Sequence, residues 1–292
     1  MDRCVRKAYA KINLGLDVVR KLENGYHEVR MIMQTVGLFD VLTLEKRSAG
    51  ITVSKDNGEL PTDENNLIYK AAKLMFEKHG ITDGVHIHLE KNIPIAAGMA
   101  GGSTDAAATF IGINELFELG DSEEDLRELG VKVGADVPYC IMGGTALAEG
   151  SGEVLTRLPA PPEAYLVVAK PDINVSTKFV YEHIDSEGVE HHPDIDGMIV
   201  ALEQQNLDGI VARLENVLEA VTVKAHPVIT EIKKTLNENG AMGSLMSGSG
   251  PTVFGVFASE EKAQKALEAV QEKGFAKQLF VTGFAEGGIH GK

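Results

Sequence analysis

Residues 94–108 read PIAAGMAGGSTDAAA, a proline-led, glycine-rich turn that leaves the apolar segment at 85–89 and enters a helix near residues 103–105. The N-terminus of a helix offers unpaired N–H donors and roughly half a positive charge. Both favour an anion at that point. The stretch therefore predicts a phosphate site that a triphosphate can occupy without a lysine in the loop.

Three glycines, Gly98, Gly101 and Gly102, suit this loop to an anion because they lack Cβ atoms and tolerate φ above zero. Gly101 is predicted to be the point where the backbone comes closest to the anion. A Gly/Ala-rich run before a helix is also typical of a tight turn with close helix packing, and this alternative stays open. The loop has neither the G-K-[ST] ending of a Walker loop nor the G-x-G-x-x-G spacing of a Rossmann turn. A nucleotide site here therefore predicts a different fold.

Length, composition and charge narrow the class of protein. The chain has 292 residues with 43% apolar content, enough for a large core and for about two domains. Its net charge is −15, from 28 basic and 43 acidic residues. Because a nucleic-acid surface needs a basic face, this balance argues against a nucleic-acid partner.

Cysteine usage and hydropathy indicate the compartment. Two cysteines, Cys4 and Cys140, are too few for a disulfide framework. No apolar signal segment follows the start, and no apolar run is long enough to span a bilayer. We expect a reduced, cytoplasmic protein with no membrane partner.

The first half alternates strand and helix patterns. The patterns predict strands at 5–19, 26–36, 41–46, 85–89 and 143–158, a hairpin turn at 23–25, and helices at 65–79, 104–119 and from Ser122 to about Gly130. The helix at 65–79 is predicted to be capped by Thr62 or Asp63 and to end at Gly80. The run PAPP at 159–162 is the best linker, which predicts domains at 1–158 and 159–292.

The second half reads as a separate α+β unit. Its predicted strands are 165–169, 252–257 and 278–282, and its predicted helices are 196–204, 207–219, 226–239 and 260–273. The turn SGSGPT at 247–252 is either an anion contact or ordinary Ser/Gly/Pro punctuation.

Two short segments carry charges in apolar surroundings. Lys11 and Asn13 occupy alternate positions of an apolar strand and therefore share one face. Asp136 lies in the short apolar turn GADVP, where a carboxylate needs a cation or a hydroxyl partner. Asp136 is the candidate counter-charge of Lys11. A structural salt bridge and a solvent-facing lysine remain the alternatives.

Together these segments resemble the GHMP kinase superfamily. The resemblance rests on AKINL at 10–14, GYH at 25–27, PIAAGMAGGSTDAA at 94–107, GADVP at 134–138 and SGSGPT at 247–252. It implies a two-domain α+β fold, with an N-terminal domain like ribosomal protein S5, a ferredoxin-like C-terminal domain, and the active site between them. The chain departs from the family at Ala96, Ala97 and Ala100, where glycine is frequent, but alanine keeps the N–H donors in place.

The resemblance implies an ATP-dependent kinase with Mg²⁺ accompanying ATP as cosubstrate and no tightly bound cofactor. Asp136 corresponds to the catalytic aspartate, which removes the proton from the acceptor hydroxyl or mainly orients it, and Lys11 to the lysine beside it. The residues implied to contact ATP are Pro94, Ile95, Ala96, Ala97, Gly98, Met99, Ala100, Gly101, Gly102, Ser103 and Thr104.

Within the superfamily, the pairing of AKINL with GYH implies a cytidine diphosphate sugar alcohol as substrate. The implied reaction is phosphorylation of the 2-hydroxyl of 4-diphosphocytidyl-2-C-methyl-D-erythritol in the non-mevalonate isoprenoid pathway. The alternative is another small-molecule kinase of the same fold, such as homoserine kinase. A non-catalytic nucleotide sensor would lack the acid or the lysine that this chain has.

Six residues are implied to contact that substrate. Tyr26 and Tyr181 would stack on the cytosine ring and His27 would read its edge, although Tyr181 could instead be a packed helix residue whose register against Phe179 is open. The complete set is Asn13, Tyr26, His27, Tyr181, Gly248 and Ser249.

No cluster of metal ligands is legible in the sequence. The pairs His86/His88 and His191/His192 are expected to be solvated or packed, because two histidines do not complete a metal site. The predicted partners are small molecules only, and the chain is expected to be a monomer or a homodimer.

Overall fold

The computed structural model of the chain describes residues 1–23, 25–56 and 60–290. The predicted hairpin turn at 23–25 includes Asn24, which lies outside the described residues. In the described part, the strands are β1 (Arg3–Lys21), β2 (His27–Arg47), β3 (Gly50–Lys55), β4 (Gly84–Glu90), β5 (Thr145–Glu149), β6 (Val154–Leu158), β7 (Tyr165–Lys170), β8 (Glu215–Asn216), β9 (Gly243–Met246), β10 (Val253–Phe257) and β11 (Gln278–Gly283).

The helices pack against the two sheets. They are α1 (Leu67–His79), α2 (Gly101–Leu116), α3 (Glu123–Val131), α4 (Val137–Met142), α5 (Thr177–Glu187), α6 (Ile195–Glu203), α7 (Leu207–Val211), α8 (Glu219–Ala225), α9 (Val228–Glu238) and α10 (Glu260–Glu272).

Two sheets organise the molecule into an α+β fold. The first has the order β3-β4-β2-β1-β8, with β5 pairing with β2 and with β6, and α2 packs on its central strands. The second has the order β11-β7-β10-β9 and is covered by α9 and α10. Strand β8 follows residue 159 yet pairs in parallel with β1, so the second half of the chain completes the first sheet.

Local signals placed several helix ends correctly. The capping box at Ser122 forms and starts α3, and Gly80 ends α1 in the left-handed conformation that glycine adopts readily. The predicted caps of α1 at Thr62 or Asp63 were wrong, because the Asn66 side chain accepts the N–H of Ile68 instead.

The predicted break between the strands at 26–36 and 41–46 was also wrong. Strand β2 continues through it with one irregularity: Asp40 pairs with Ala8, and the register with β1 shifts before the pairing resumes at Thr35 opposite Lys11. The buried carboxylate of Asp40 accepts the backbone N–H groups of Asn92 and Ile93 and a bond from Lys91, so a residue that usually marks a turn is satisfied inside the sheet.

In the second half, the predicted helix at 207–219 is divided into α7, β8 and α8. The helix α5 and the strands β3 and β9 were not predicted. Across the described residues, no helix combines the length and the apolar character needed to cross a bilayer.

Candidate active site

A cavity of about 930 Å³ lies between the two sheets, where the glycine-rich turns of both halves meet. We call it the central cavity. All predicted site residues except Met99 and Thr104 line it, together with residues that the sequence did not indicate: Leu16, Lys21, Leu60, Pro61, Asn65, Asn66, Leu67, Lys91, Asp105, Thr177 and Asp185.

The N-terminus of α2 opens into the central cavity. Its cap residue is Ala100, which has no side chain to accept a hydrogen bond from the first turn. The first backbone N–H groups of an α-helix have no partner within the helix, so Gly101, Gly102 and Ser103 present donors to the cavity. A Cβ placed on Gly102 would meet only Leu67, at 3.4 Å, which shows that this side of the turn is open.

The loop before α2 turns at residues that differ from those predicted. Only Gly98 among the three glycines has a positive φ, 71°, while Gly101 and Gly102 already belong to α2. Ala96 and Ala100 take the other two left-handed positions, at φ 51° and 55°. Because an L-residue with a Cβ is disfavoured there, the loop holds two strained alanines.

Gly98 is the point where this loop comes closest to the glycine turn of the second half. The predicted close approach of Gly101 to an anion stays a prediction. A Cβ on Gly98 would lie 2.3 Å from the carbonyl oxygen of Ser247, in the glycine turn of the second half. The Ser247 hydroxyl donates to the Gly98 carbonyl oxygen at 3.0 Å. Asn216 supports the second turn by donating from Nδ2 to the carbonyl oxygens of Met246 and Gly248.

Met99 and Thr104 face away from the central cavity, although both were predicted to contact ATP. The Met99 side chain is buried and its carbonyl oxygen accepts the N–H of Lys11. The Thr104 hydroxyl donates to the carbonyl oxygen of Tyr9 at 2.8 Å. Both residues therefore tie the loop and the helix to β1.

Lys11 and Asn13 share one face of β1, as their spacing predicts, and both are buried. The ammonium of Lys11 donates to Oδ1 of Asn13 at 2.7 Å, and Nδ2 of Asn13 contacts the sulfur of Met31. Within the described residues, Lys11 forms no ion pair with Asp136, so the direct pairing expected from the sequence is not present. Both side chains do line the same cavity.

Asp136 stands at the N-terminal end of α4, half-buried at the cavity wall. Among the described residues its carboxylate has no hydrogen-bond partner, which leaves its oxygens available to a ligand. Burial, and secondly the nearby charge of Asp136, raise the pKa of the Tyr181 phenol to about 12. Tyr181 and Asp136 are therefore close enough to interact electrostatically, although Tyr181 lies on α5 in the second half.

A buried charge cluster under the loop was not predicted. Lys91 Nζ donates to Asp40 Oδ2 at 2.5 Å and to Asp105 Oδ2 at 2.7 Å. Burial by itself would lower the pKa of Lys91, but the two carboxylates raise it. Burial and the neighbouring Asp40 raise the pKa of Asp105 against the effect of Lys91, and its Oδ1 is buried without a hydrogen-bond partner. In the sequence, the only signal for this cluster was Lys91 itself, three residues before Pro94.

Three aromatic side chains, Tyr26, His27 and Tyr181, also line the cavity, and we call this part of its wall the aromatic end. Tyr26 is 66% exposed, whereas the His27 ring packs on Tyr181 with centroids 4.7 Å apart and an interplanar angle of 37°. Of the two candidate aromatics on α5, Tyr181 lines the cavity and Phe179 stacks on His183 outside it. The open question of register is thereby resolved in favour of Tyr181.

The four histidines considered as unlikely ligands bond to side chains of the protein. His86 contacts the hydroxyls of Thr52 and Ser54, and His88 also contacts Ser54. His191 and His192 contact Glu215 and Asp17, respectively. The described residues contain no group of three or more His, Cys, Asp or Glu side chains that could hold a metal ion by themselves.

Comparison with known proteins agrees with this geometry. Residues 66–144 match the model of the GHMP kinases N terminal domain, and residues 198–276 match GHMP kinases C terminal. A 4-diphosphocytidyl-2-C-methyl-D-erythritol kinase of Lachnoclostridium phytofermentans is 53% identical over 98% of this chain and 99% of its own. The enzyme of the same name from Lachnospira eligens is 52% identical over 97% and 98%.

Solved structures give the same result. A crystal structure of 4-(cytidine 5'-diphospho)-2C-methyl-D-erythritol kinase superposes with a TM-score of 0.84 at 33% identity, covering 97% of this chain and 100% of that one. Homoserine kinase from Cytophaga hutchinsonii has a TM-score of 0.78 at 24% identity, covering 99% and 96%, which shows a shared fold. Because both halves match GHMP kinase domain models and these relatives align with 97–98% of the chain, the chain belongs to the GHMP kinase family.

Proposed function

We propose that this chain transfers the γ-phosphoryl group of ATP to the 2-hydroxyl of 4-diphosphocytidyl-2-C-methyl-D-erythritol. The observation that carries the proposal is the arrangement of the central cavity. Lys11, Asn13 and Asp136 lie on its walls together with the N-terminus of α2 and the aromatic end formed by Tyr26, His27 and Tyr181. The relatives that are 52–53% identical to this chain are named for this activity, which supports the same reaction.

ATP occupies the end of the cavity formed by the loop at 94–103 and by residues 60–67. The donors of Gly101, Gly102 and Ser103 hold the triphosphate, because a helix N-terminus favours negative charge. Leu60, Pro61 and Leu67 supply apolar surface for the adenosine, with Asn65 and Asn66 as polar neighbours. This division leaves the opposite end for the cytidine.

Phosphoryl transfer then requires a hydroxyl between the two ends. Asp136 accepts the proton of the 2-hydroxyl as that oxygen bonds to the γ-phosphorus and the bond from phosphorus to the ADP oxygen breaks. Lys11 lies beside the developing negative charge, and its bond to Asn13 fixes the direction of the ammonium. Asn13 also faces the erythritol portion of the substrate.

Mg²⁺ would bind to the protein together with ATP. It keeps most of its ligands as phosphate oxygens and water, so the protein needs to add only one or two oxygens. The buried, unpartnered Oδ1 of Asp105 and the Ser103 hydroxyl, both at the cavity wall, fit this requirement. When bound, Mg²⁺ supplies charge neutralisation for the phosphates.

The cytidine occupies the aromatic end. Tyr26 is 66% exposed and lines the cavity, so its ring can pack on a base that enters beside His27 and Tyr181. Stacking of a base on an aromatic ring is worth about 1–3 kcal/mol, while hydrogen bonds to the base edge supply selectivity. Gly248 and Ser249 contact the diphosphate from the second glycine turn.

The proposed domains are residues 1–158 and 159–292, with β8 of the second reaching into the sheet of the first. We place the protein in the cytoplasm, where it acts as a monomer or a homodimer. Cys4 and Cys140 are both buried free thiols, which fits a reducing compartment.

A coupled ATP-consumption assay tests the proposal. Purified full-length protein is assayed with 4-diphosphocytidyl-2-C-methyl-D-erythritol, homoserine and mevalonate, each at several concentrations, and the product is checked for phosphate on the 2-hydroxyl. We expect turnover with the cytidyl substrate alone. Turnover of homoserine with none of the cytidyl substrate would replace the proposal by the homoserine kinase alternative.

A further inference from the structure

Asp185 on α5 joins the two halves of the chain at the aromatic end of the central cavity. Its Oδ2 accepts a hydrogen bond from Lys21 Nζ at 2.5 Å, and its Oδ1 lies 2.7 Å from His27 Nε2. Lys21 and His27 are direct partners in the last pair of the β1–β2 ladder, so their side chains project to the same side. The His27 side chain is only 10% exposed in this arrangement.

The same face of α5 also carries Tyr181. Residues four apart on a helix lie above one another, and Tyr181 and Asp185 are so spaced. His27 thus receives a ring contact from Tyr181 and a hydrogen bond from Asp185 at once. Because both contacts come from one rigid helix, the position and the rotation of the imidazole are determined.

The charge of Asp185 decides which nitrogen of His27 carries the proton. Hydrogen bonds from Lys21 and then from His27 lower the pKa of Asp185, so it is a carboxylate at neutral pH. An ionised carboxylate only accepts hydrogen bonds, so Nε2 of His27 must be the N–H. In the neutral imidazole, Nδ1 is then a bare acceptor. Nδ1 has no hydrogen-bond partner among the described residues.

An acceptor at this point distinguishes the pyrimidines. Cytosine has an amino group at C4, which donates, whereas uracil has a carbonyl oxygen there, which accepts. We propose that Asp185 is a specificity-determining positioning residue that holds His27 as the Nε2–H tautomer, so that Nδ1 accepts from the 4-amino group of cytosine and disfavours uracil. The inference rests on the proposed function, since it assigns the discrimination made by that same site.

The test uses Asp185→Asn in the full chain, assayed with the cytidine and uridine versions of the diphospho-erythritol substrate at saturating ATP. An amide can donate to Nε2 as well as accept from it, so both tautomers become accessible. We expect kcat/KM for the cytidine substrate to fall about tenfold or more relative to the uridine substrate, equivalent to about 1.4 kcal/mol. The change should appear in KM for the pyrimidine substrates, with KM for ATP unchanged.

Two further variants separate positioning from general structure. Asp196→Asn removes an exposed carboxylate that bonds Arg30 of β2 at 2.6 Å, also between the two halves but outside the cavity, and should leave the ratio unchanged. Asp185→Glu retains a carboxylate and should recover part of the discrimination. Nitrogen NMR of His27, assigned with His27→Gln, should show the Nε2–H tautomer in the unaltered protein and a shift towards the other form in Asp185→Asn.

The outcomes are distinguishable. If the unaltered protein prefers cytidine and Asp185→Asn prefers it equally, or if both substrates lose activity by the same factor, Asp185 only holds α5 and the inference is wrong. An unchanged tautomer in Asp185→Asn would overturn it as well. If the unaltered protein phosphorylates neither pyrimidine substrate, the proposed function itself has failed.

Discussion

Lys91 Nζ lies 2.7 Å from Asp105 Oδ2, which joins the end of β4 to the first turns of α2 beneath the phosphate loop. The same ammonium bonds Asp40 of β2, and the three side chains are almost wholly buried. One cation therefore contacts two buried carboxyl groups, and burial and Asp40 raise the pKa of Asp105. The loop at 94–100 begins and ends at this cluster.

Removing that cation should destabilise the protein strongly. In Lys91→Met the two carboxylates remain buried without a counter-charge, a change that typically costs about 3–5 kcal/mol. Urea unfolding measures the free energy of unfolding. Lys277→Met is the matched control, because Lys277 bonds Asp172 at 3.2 Å while the two side chains are 67% and 74% exposed, and exposed pairs contribute about 0–1 kcal/mol. Equal losses of unfolding free energy in the two variants would show that the buried cluster stabilises the protein no more than an exposed ion pair does.

Asp136→Asn should lower kcat by about 10²–10⁴-fold, the usual contribution of a positioned acid–base group. The asparagine has nearly the same shape, and Asp136 bonds no other described side chain, so the fold and the affinity for ATP should change little. Steady-state kinetics with calorimetric ATP binding provide the measurement. Near-normal turnover would remove Asp136 from the chemistry.

Lys11→Met should lower kcat by about 10²-fold or more, because it removes a preorganised cation from the site of developing charge. A second buried lysine serves as the control. Lys170 bonds the carbonyl oxygens of Pro171 and Ile173 and does not line the central cavity, so Lys170→Met should affect stability rather than kcat. If Lys11→Met shows the same pattern as Lys170→Met, Lys11 is structural.

Gly98→Ala should weaken ATP binding about tenfold or more. Its Cβ would press on the Ser247 carbonyl oxygen, 2.3 Å away, and separate the two glycine turns. Gly120→Ala is the control, since Gly120 has a similar φ, 76°, but its Cβ would meet nothing within 4 Å. Calorimetry on both folded variants compares the effect of contact with that of backbone strain. Equal ATP affinities would mean that the contact between the turns does not shape the phosphate site.

Ala100→Gly should raise the free energy of unfolding. Relief of the left-handed strain at φ 55° is worth about 1–2 kcal/mol, against about 0.4–1 kcal/mol for the extra entropy of glycine in the unfolded chain. The expected net gain is therefore on the order of 0.5–1 kcal/mol. Ala97→Gly tests the opposite case, because Ala97 is buried and has no positive φ, and it should lose stability. A loss in both variants would contradict the strain at Ala100.

Several parts of the site were predictable because they depend on neighbours in sequence. Alternation along a strand placed Lys11 and Asn13 on one face, and the glycine-rich run before an apolar helix indicated the uncapped N-terminus of α2. The motif resemblance then added the aspartate at 136 and the aromatic residues. In each case the determining interaction spans a few residues or a contiguous motif.

The sequence by itself thus determined the α+β class, the phosphate loop and about half of the residues that line the central cavity. Only the tertiary structure decided the partners of the charged groups. Asp40 and Lys91 are 51 residues apart, and Ser247 and Gly98 are 149 apart, so no local pattern could pair them. Burial makes each of these polar groups require a partner, but the packing of distant strands and loops decides which partner lies within reach. The same reason explains why Lys11 has no ion pair with Asp136 among the described residues, and why Asp185 meets His27.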